Sequence, residues 1–343
     1  MQTRDVVETV AERLADADYV ADVVAREPSG VNGVLWDGYS LAAGYSGTAV
    51  ALFELGRQLK RDDLTDCGFR HVRRAVTAYN EAPGPLGFLT GASGLLAAIT
   101  AASAEDRRFA PSAHRLHQQI IDEIMDAPWD FNATVRMLPS QYDLISGLAG
   151  LLISMATSSL RDSQSQVAID HVAHFLSWAY VSGGNRAFFQ EPGSYQDGAA
   201  NEDLYPHGLT DTGMAHGLAG VLHALSLVQL MTPTTLDLKD PIARLLAAIF
   251  KDNGAVTALV PTRKDRLRAV GATAAGWCRG RLGLGVAVSW GALATSDATL
   301  FAEAKRLIEV EPVLCAIPEA NCLCHGLAGL LLAAVPGNGR NEL

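Results

Sequence analysis

Ala215-His216-Gly217-Leu218-Ala219-Gly220, running on into Val221-Leu222-His223-Ala224-Leu225, is the stretch on which the fold turns. A small-residue turn leads straight into a run that is apolar on nearly every side. Such a run suits a helix buried all round rather than an amphipathic helix with one wet face. The phrase recurs as Gly44-Tyr45-Ser46-Gly47, Thr90-Gly91-Ala92-Ser93-Gly94 and Ile145-Ser146-Gly147-Leu148-Ala149-Gly150. It returns as Cys278-Arg279-Gly280-Arg281-Leu282-Gly283 and Cys324-His325-Gly326-Leu327-Ala328-Gly329. Between these phrases lie charged segments with helical spacing, at 5–25, 113–125, 166–180, 241–252 and 299–310. Alternating Val/Ile/Thr runs are scarce and no hairpin turn stands out. Buried helix followed by surface helix, repeated every roughly 45–70 residues, predicts stacked helical hairpins. An open stack satisfies the pattern, and so does a closed ring with two concentric layers. Glycines are expected where inner helices crowd and backbones approach closely.

The shared frame predicts where the chemistry sits. One repeat position holds Ser146, His216, Arg279 and His325; the position before it holds Ile145, Ala215, Cys278 and Cys324. Equivalent positions fall on one rim, so His216, Cys278, Cys324 and His325 are expected around one cavity. Helix N-termini facing that cavity favour thiolates. Two thiolates and an imidazole fill three corners of a zinc tetrahedron and leave the fourth open, the pattern of a catalytic Zn²⁺. Cys322 is the competing ligand; as a fourth donor it would close the site into a structural one. Cys67 and Cys315 are isolated and read as buried or inert. Five cysteines without a secretion signal argue against a disulfide framework.

The 343 residues are 49% hydrophobic, enough for one large domain or two small ones; we expect a single domain over 1–343. A net charge of −10 argues against broad nucleic-acid binding. Residues 1–25 carry Arg4, Asp5, Glu8, Glu12 and Arg13, which interrupt any signal-peptide core. No stretch stays apolar for the roughly 20 residues of a membrane span. A cytoplasmic protein without a membrane span is therefore expected.

The phrases closely resemble those of the lanthipeptide cyclases, the lanthionine synthetase C-like family. The similar stretches are Tyr142–Gly150, Tyr205-Pro206-His207-Gly208, Gly213–Gly220, Trp277-Cys278-Arg279-Gly280 and Cys324-His325-Gly326. Before Tyr142 only the glycine phrases match. The resemblance implies an all-α fold, an α/α toroid of six to seven helical hairpins. It implies zinc on Cys278, Cys324 and His325, with Asp143 and His216 as acid and base. The implied reaction is addition of a peptide Cys thiol to dehydroalanine or dehydrobutyrine within a dehydrated precursor peptide, closing a thioether ring. A separate dehydratase or kinase/lyase partner is expected to supply that peptide.

Two features depart from the family pattern. Six phrases stand where seven are usual. Ala274 and Arg279 occupy positions where many stand-alone members carry an Arg, and an aromatic residue or His. Arg279 or Arg281 is then the candidate to stabilise developing negative charge, alongside His216 and Asp143 as catalytic groups. The same metal site also suits addition of glutathione or another small thiol to dehydroamino acids, or a non-catalytic zinc-stabilised scaffold. A toroidal glycosidase would need two rim carboxylates, and Asp143 alone is evident. Asp143 has a second possible task as an N-cap.

The basic run Arg263, Lys264, Arg266, Arg268, Arg279 and Arg281 is either a solvated face or an approach for an acidic part of the peptide. Residues 183–213, rich in Gly, Asn, Asp and Gln, predict a long loop forming a wall or lid. His207 lies in it. His71, His114, His117, His171, His174 and His223 sit on predicted helices away from the rim.

Overall fold

The computed structural model describes residues 3–26, 36–131, 136–192, 205–251, 254–261, 267–271 and 276–309. These form two compact units.

The first unit comprises residues 1–127 with 157–164. It begins with α1 (Thr3–Ala15) and α2 (Ala17–Arg26), where one amphipathic segment was expected. Asp16 separates them: its Oδ1 accepts the backbone N–H groups of Asp18 and Tyr19, both at 3.0 Å, and so starts a new helix. Then come α3 (Tyr45–Leu59), α4 (Asp62–Glu81), α5 (Ala92–Glu105) and α6 (Ala110–Asp126). Helices α3 and α5 carry the glycine phrases; α4 and α6 show one apolar face each. On α6 that face is Ala113, Leu116, Ile120, Ile121 and Ile124, at helical spacing. Cys67 is 7% exposed and packs with Ala11, Leu52 and Leu64, as expected of a cysteine that fills core.

The second unit comprises 128–156 and 165–343. Its helices are α7 (Pro139–Tyr142), α8 (Leu148–Thr157), α9 (Ser163–Gly183), α10 (Leu218–Met231), α11 (Lys239–Ile249), α12 (Arg281–Thr295) and α13 (Ala298–Glu309). Helices α8, α10 and α12 follow glycine phrases. On α10 every residue from Leu218 to Val228 is buried apart from His223, which is partly buried. Replacing Leu222 or Leu225, both fully buried, by alanine should cost about 2–5 kcal/mol.

Strand signals are poor in the sequence, and the structure adds a small sheet to the helices. Among the described residues five strands form an antiparallel sheet: β1 (Phe189–Gln190), β2 (Leu209–Asp211), β3 (Phe250–Lys251), β4 (Gly254–Pro261) and β5 (Leu267–Gly271). Strand β4 pairs with β2, with Thr210 opposite Leu259, and also with β3 and β5. The expected loop 183–213 therefore carries β1 and β2, with Phe189 opposite Thr210. Segment 241–252 likewise ends as strand rather than helix. The sheet matters because β2 delivers the chain into the Gly213–His216 turn.

Four of the turns before inner helices share one construction. Gly44, Gly91, Gly217 and Gly280 are N-caps in extended conformation. Three residues later a second glycine lies over a carbonyl six residues back. A Cβ at Gly94 would stand 2.0 Å from Phe88 O, and one at Gly283 1.8 Å from Trp277 O, so no side chain fits. The same glycines face the preceding phrase: Gly94 would meet Leu41 Cβ at 2.9 Å and Gly283 would meet Met214 Cβ at 2.8 Å. Main-chain hydrogen bonds tie the turns together. In the first unit Leu41 N and Ala42 N donate to Leu89 O, at 3.0 and 2.9 Å. In the second, Leu144 N donates to Ala215 O at 3.0 Å and Ala215 N donates to Cys278 O at 3.1 Å. Glycine is thus required at Gly94 and Gly283, where the turn folds beneath its own helix and against the turn before it in the same unit. The sixth phrase, at Cys324–Gly329, lies outside the described residues.

Candidate active site

Two of these tied turns carry Asp143 and His216. Asp143 follows the short helix α7 and is fully buried. Its Oδ1 accepts the N–H groups of Ser146 at 2.7 Å and Gly147 at 2.9 Å, just ahead of α8. This is the capping task anticipated as its alternative role. Its Oδ2 lies 2.6 Å from His216 Nδ1, so one carboxylate does both jobs. The His216 side chain is 23% exposed. A carboxylate acceptor at Nδ1 favours the tautomer with the proton on that nitrogen.

Tyr142 supports the pair from beneath. Its hydroxyl donates to His216 O at 3.0 Å, and Gln190 Nε2 of β1 donates to the same hydroxyl at 3.4 Å. The ring packs edge-on against Phe188, with centroids 4.7 Å apart. Burial, aided by the nearby Asp211 charge, pushes the Tyr142 phenol far above its ordinary value, so it is a fixed hydrogen-bond donor at neutral pH.

Cys278 lies in the turn three residues before α12 and is partly exposed. Its carbonyl accepts from Ala215, the residue before His216. The predicted neighbourhood of Cys278 and His216 is therefore present at the level of the main chain. Cys278 stands at the positive end of a helix and beside Arg279, which suits a thiolate and hence a zinc ligand. Cys324, His325, Cys322, Cys315 and Ala274 lie outside the described residues.

Arg279 has a partner that sequence reasoning missed. Its Nε and Nη2 donate to Asp211 Oδ2, at 3.0 and 2.5 Å. Asp211 is 1% exposed, and its Oδ1 accepts the Gly213 N–H at 2.6 Å. The site thus contains a second buried carboxylate beside Asp143, paired to an arginine. An Asp two residues before a Gly is a turn signal, and Asp211-Thr212-Gly213 carried it. Arg281 is partly exposed at the first turn of α12, and His207 is exposed ahead of β2. The side chains of 263–268 lie outside the described residues. The six remaining histidines sit on α4, α6, α9 and α10, and one of them, His71, packs edge-on against Tyr45 of the first glycine phrase.

The family model described as lanthionine synthetase C-like protein matches residues 35–334. The chain belongs to the lanthionine synthetase C-like family. Among curated relatives it is 23% identical over 255 residues to the nisin biosynthesis protein NisC of Lactococcus lactis subsp. lactis. That match spans 71% of this chain and 60% of the relative's length. A solved structure titled nisin cyclase superposes with a TM-score of 0.72 at 18% identity, covering 92% of this chain and 80% of the other. The likeness shows the fold of this lanthionine synthetase C-like chain: an all-α class α/α toroid, carrying the small sheet described above. Among the described residues no helix is long and apolar enough to cross a membrane.

Proposed function

We propose that this chain is a zinc-dependent lanthipeptide cyclase that joins peptide Cys thiols to dehydroalanine or dehydrobutyrine in a dehydrated precursor peptide. The observation that carries the reading is the His216–Asp143 pair, set one residue beyond a turn bonded to the main chain of Cys278.

Cys278, Cys324 and His325 would hold the zinc. The half-buried Cys278 thiol at the head of α12 fits that use, since a helix N-terminus favours the thiolate a metal needs. When bound, zinc supplies the acidity that keeps a sulfur ligand deprotonated at neutral pH.

The chain's own residues account for the remaining steps. The S–H bond of the peptide thiol breaks and its proton passes to His216 Nε2, a C–S bond forms at the alkene β-carbon, and the C=C π bond opens. The electron pair passes to the α-carbon and its amide, where a proton completes the product. No oxidant or reductant is needed. His216 Nε2 delivers that proton, and Asp143 Oδ2 at Nδ1 stabilises the imidazolium that precedes delivery. Arg279, held by Asp211, faces the negative charge that builds at the amide. Two reacting groups of one chain held close also lower the entropic barrier to ring closure.

The test is incubation of the purified protein with a dehydrated, Cys-containing peptide. Loss of free thiol at constant mass supports cyclisation. Retained thiol, or a mass gain dependent on added glutathione, sinks it and points to small-thiol addition instead.

A further inference from the structure

We infer that Asp211 is a positioning residue, which clamps Cys278 and Arg279 against the turn that carries His216. This rests on the cyclase reading above and goes beyond it, since there Asp211 enters only as the partner of Arg279 and has no part in placing Cys278. One Asp211 oxygen takes the Gly213 N–H at 2.6 Å, at the start of the His216 turn. The other oxygen takes two N–H groups of Arg279, the residue next to Cys278. The same two segments meet directly. A Cβ on Gly213 would stand 2.5 Å from Cys278 O and 3.2 Å from Arg279 Cα, and Ala215 N donates to Cys278 O.

The carboxylate is 1% exposed, so both its oxygens work in a dry setting where misplacement is costly. A main-chain contact alone would let the Cys278 turn pivot about the Ala215 bond. The Asp211–Arg279 pair adds a second point of attachment on the other side of Gly213. Two attachments fix the direction from Cys278 to the His216 ring. Asp211 reaches no reacting atom itself; it acts through Arg279 and Gly213.

The experiment uses the full chain with Asp211→Asn, Arg279→Gln and the double variant. Asn keeps the Gly213 bond but drops the ion pair; Arg279→Gln cuts the same pair from its half-exposed side, where folding is least at risk. Two quantities are read: kcat and KM on the dehydrated peptide, and affinity for Co²⁺ by chelator competition, with the thiolate-to-cobalt absorption band as signature. Each single variant should lose about 10- to 100-fold in kcat with KM nearly unchanged, and about tenfold or more in metal affinity. The double variant should be no worse than the poorer single, because both cut one link. Wild-type kcat and wild-type metal affinity in Asp211→Asn would overturn the inference, as would losses that multiply in the double variant. Failure of the wild-type chain itself to bind Co²⁺ or consume thiol would instead strike the underlying cyclase reading.

Discussion

His216 Nδ1 stands 2.6 Å from Asp143 Oδ2, and the aspartate that holds it is also the cap of the next inner helix. The two oxygens of one carboxylate serve separate purposes. Substitutions at position 143 should therefore separate folding from catalysis.

Asp143→Asn keeps an acceptor for Ser146 and Gly147 but no longer compensates an imidazolium. We expect near-normal stability and a turnover loss of about 100- to 10,000-fold. Asp143→Ala strands two backbone donors as well and should lose about 1–3 kcal/mol of stability in addition. Urea unfolding alongside the thiol assay separates the two variants.

Metal content should follow a different pattern from activity. Cys278→Ala and Cys324→Ala should purify with zinc lost and turnover lost together. His216→Ala should retain zinc while turnover falls. Elemental analysis of the three proteins checks this; an empty His216→Ala would make His216 a ligand rather than a proton donor.

The crowded glycines can be tested by stability alone. A methyl at Gly283 would stand 1.8 Å from Trp277 O and 2.8 Å from Met214 Cβ, so main chain must shift. Gly283→Ala should cost at least about 1–3 kcal/mol despite the better helix propensity of alanine. A rise in melting temperature would contradict the packing described for this turn.

Stability should also fall in mild acid. His71 is fully buried on α4, edge-on to Tyr45, and burial pushes its imidazole down to about 4. Burial does the same to His223, also to about 4. The unfolded chain takes up each proton below about pH 6.5, whereas the folded chain resists until about pH 4. Stability linked to each group is thus complete above pH 6.5 and declines as pH drops toward 4, by up to about 1.4 kcal/mol per unit. His71→Leu should flatten part of that decline in unfolding curves taken between pH 4.5 and 7.

Much of this was legible in the chain because the fold repeats itself. Glycine is forced at equivalent places such as Gly94 and Gly283, so the phrases stay visible and point to the rim where Asp143, His216 and Cys278 lie. The sheet was hidden because β1, β2 and β3 are two or three residues long and carry no periodicity. The 254–261 and 267–271 pair did leave a trace, an apolar run closed by Pro261 and followed by charged residues. Asp211 escaped notice because its importance comes from Arg279, 68 positions away, and no spacing rule reaches that far.

The links between rim turns run through backbone atoms: Leu144 to Ala215, and Ala215 to Cys278. Every amino acid supplies the carbonyl these links need, and every one but proline supplies the N–H. Side chains along this edge other than the glycines and the polar groups named above can therefore drift in evolution, or be shuffled by an engineer, while His216 keeps its address.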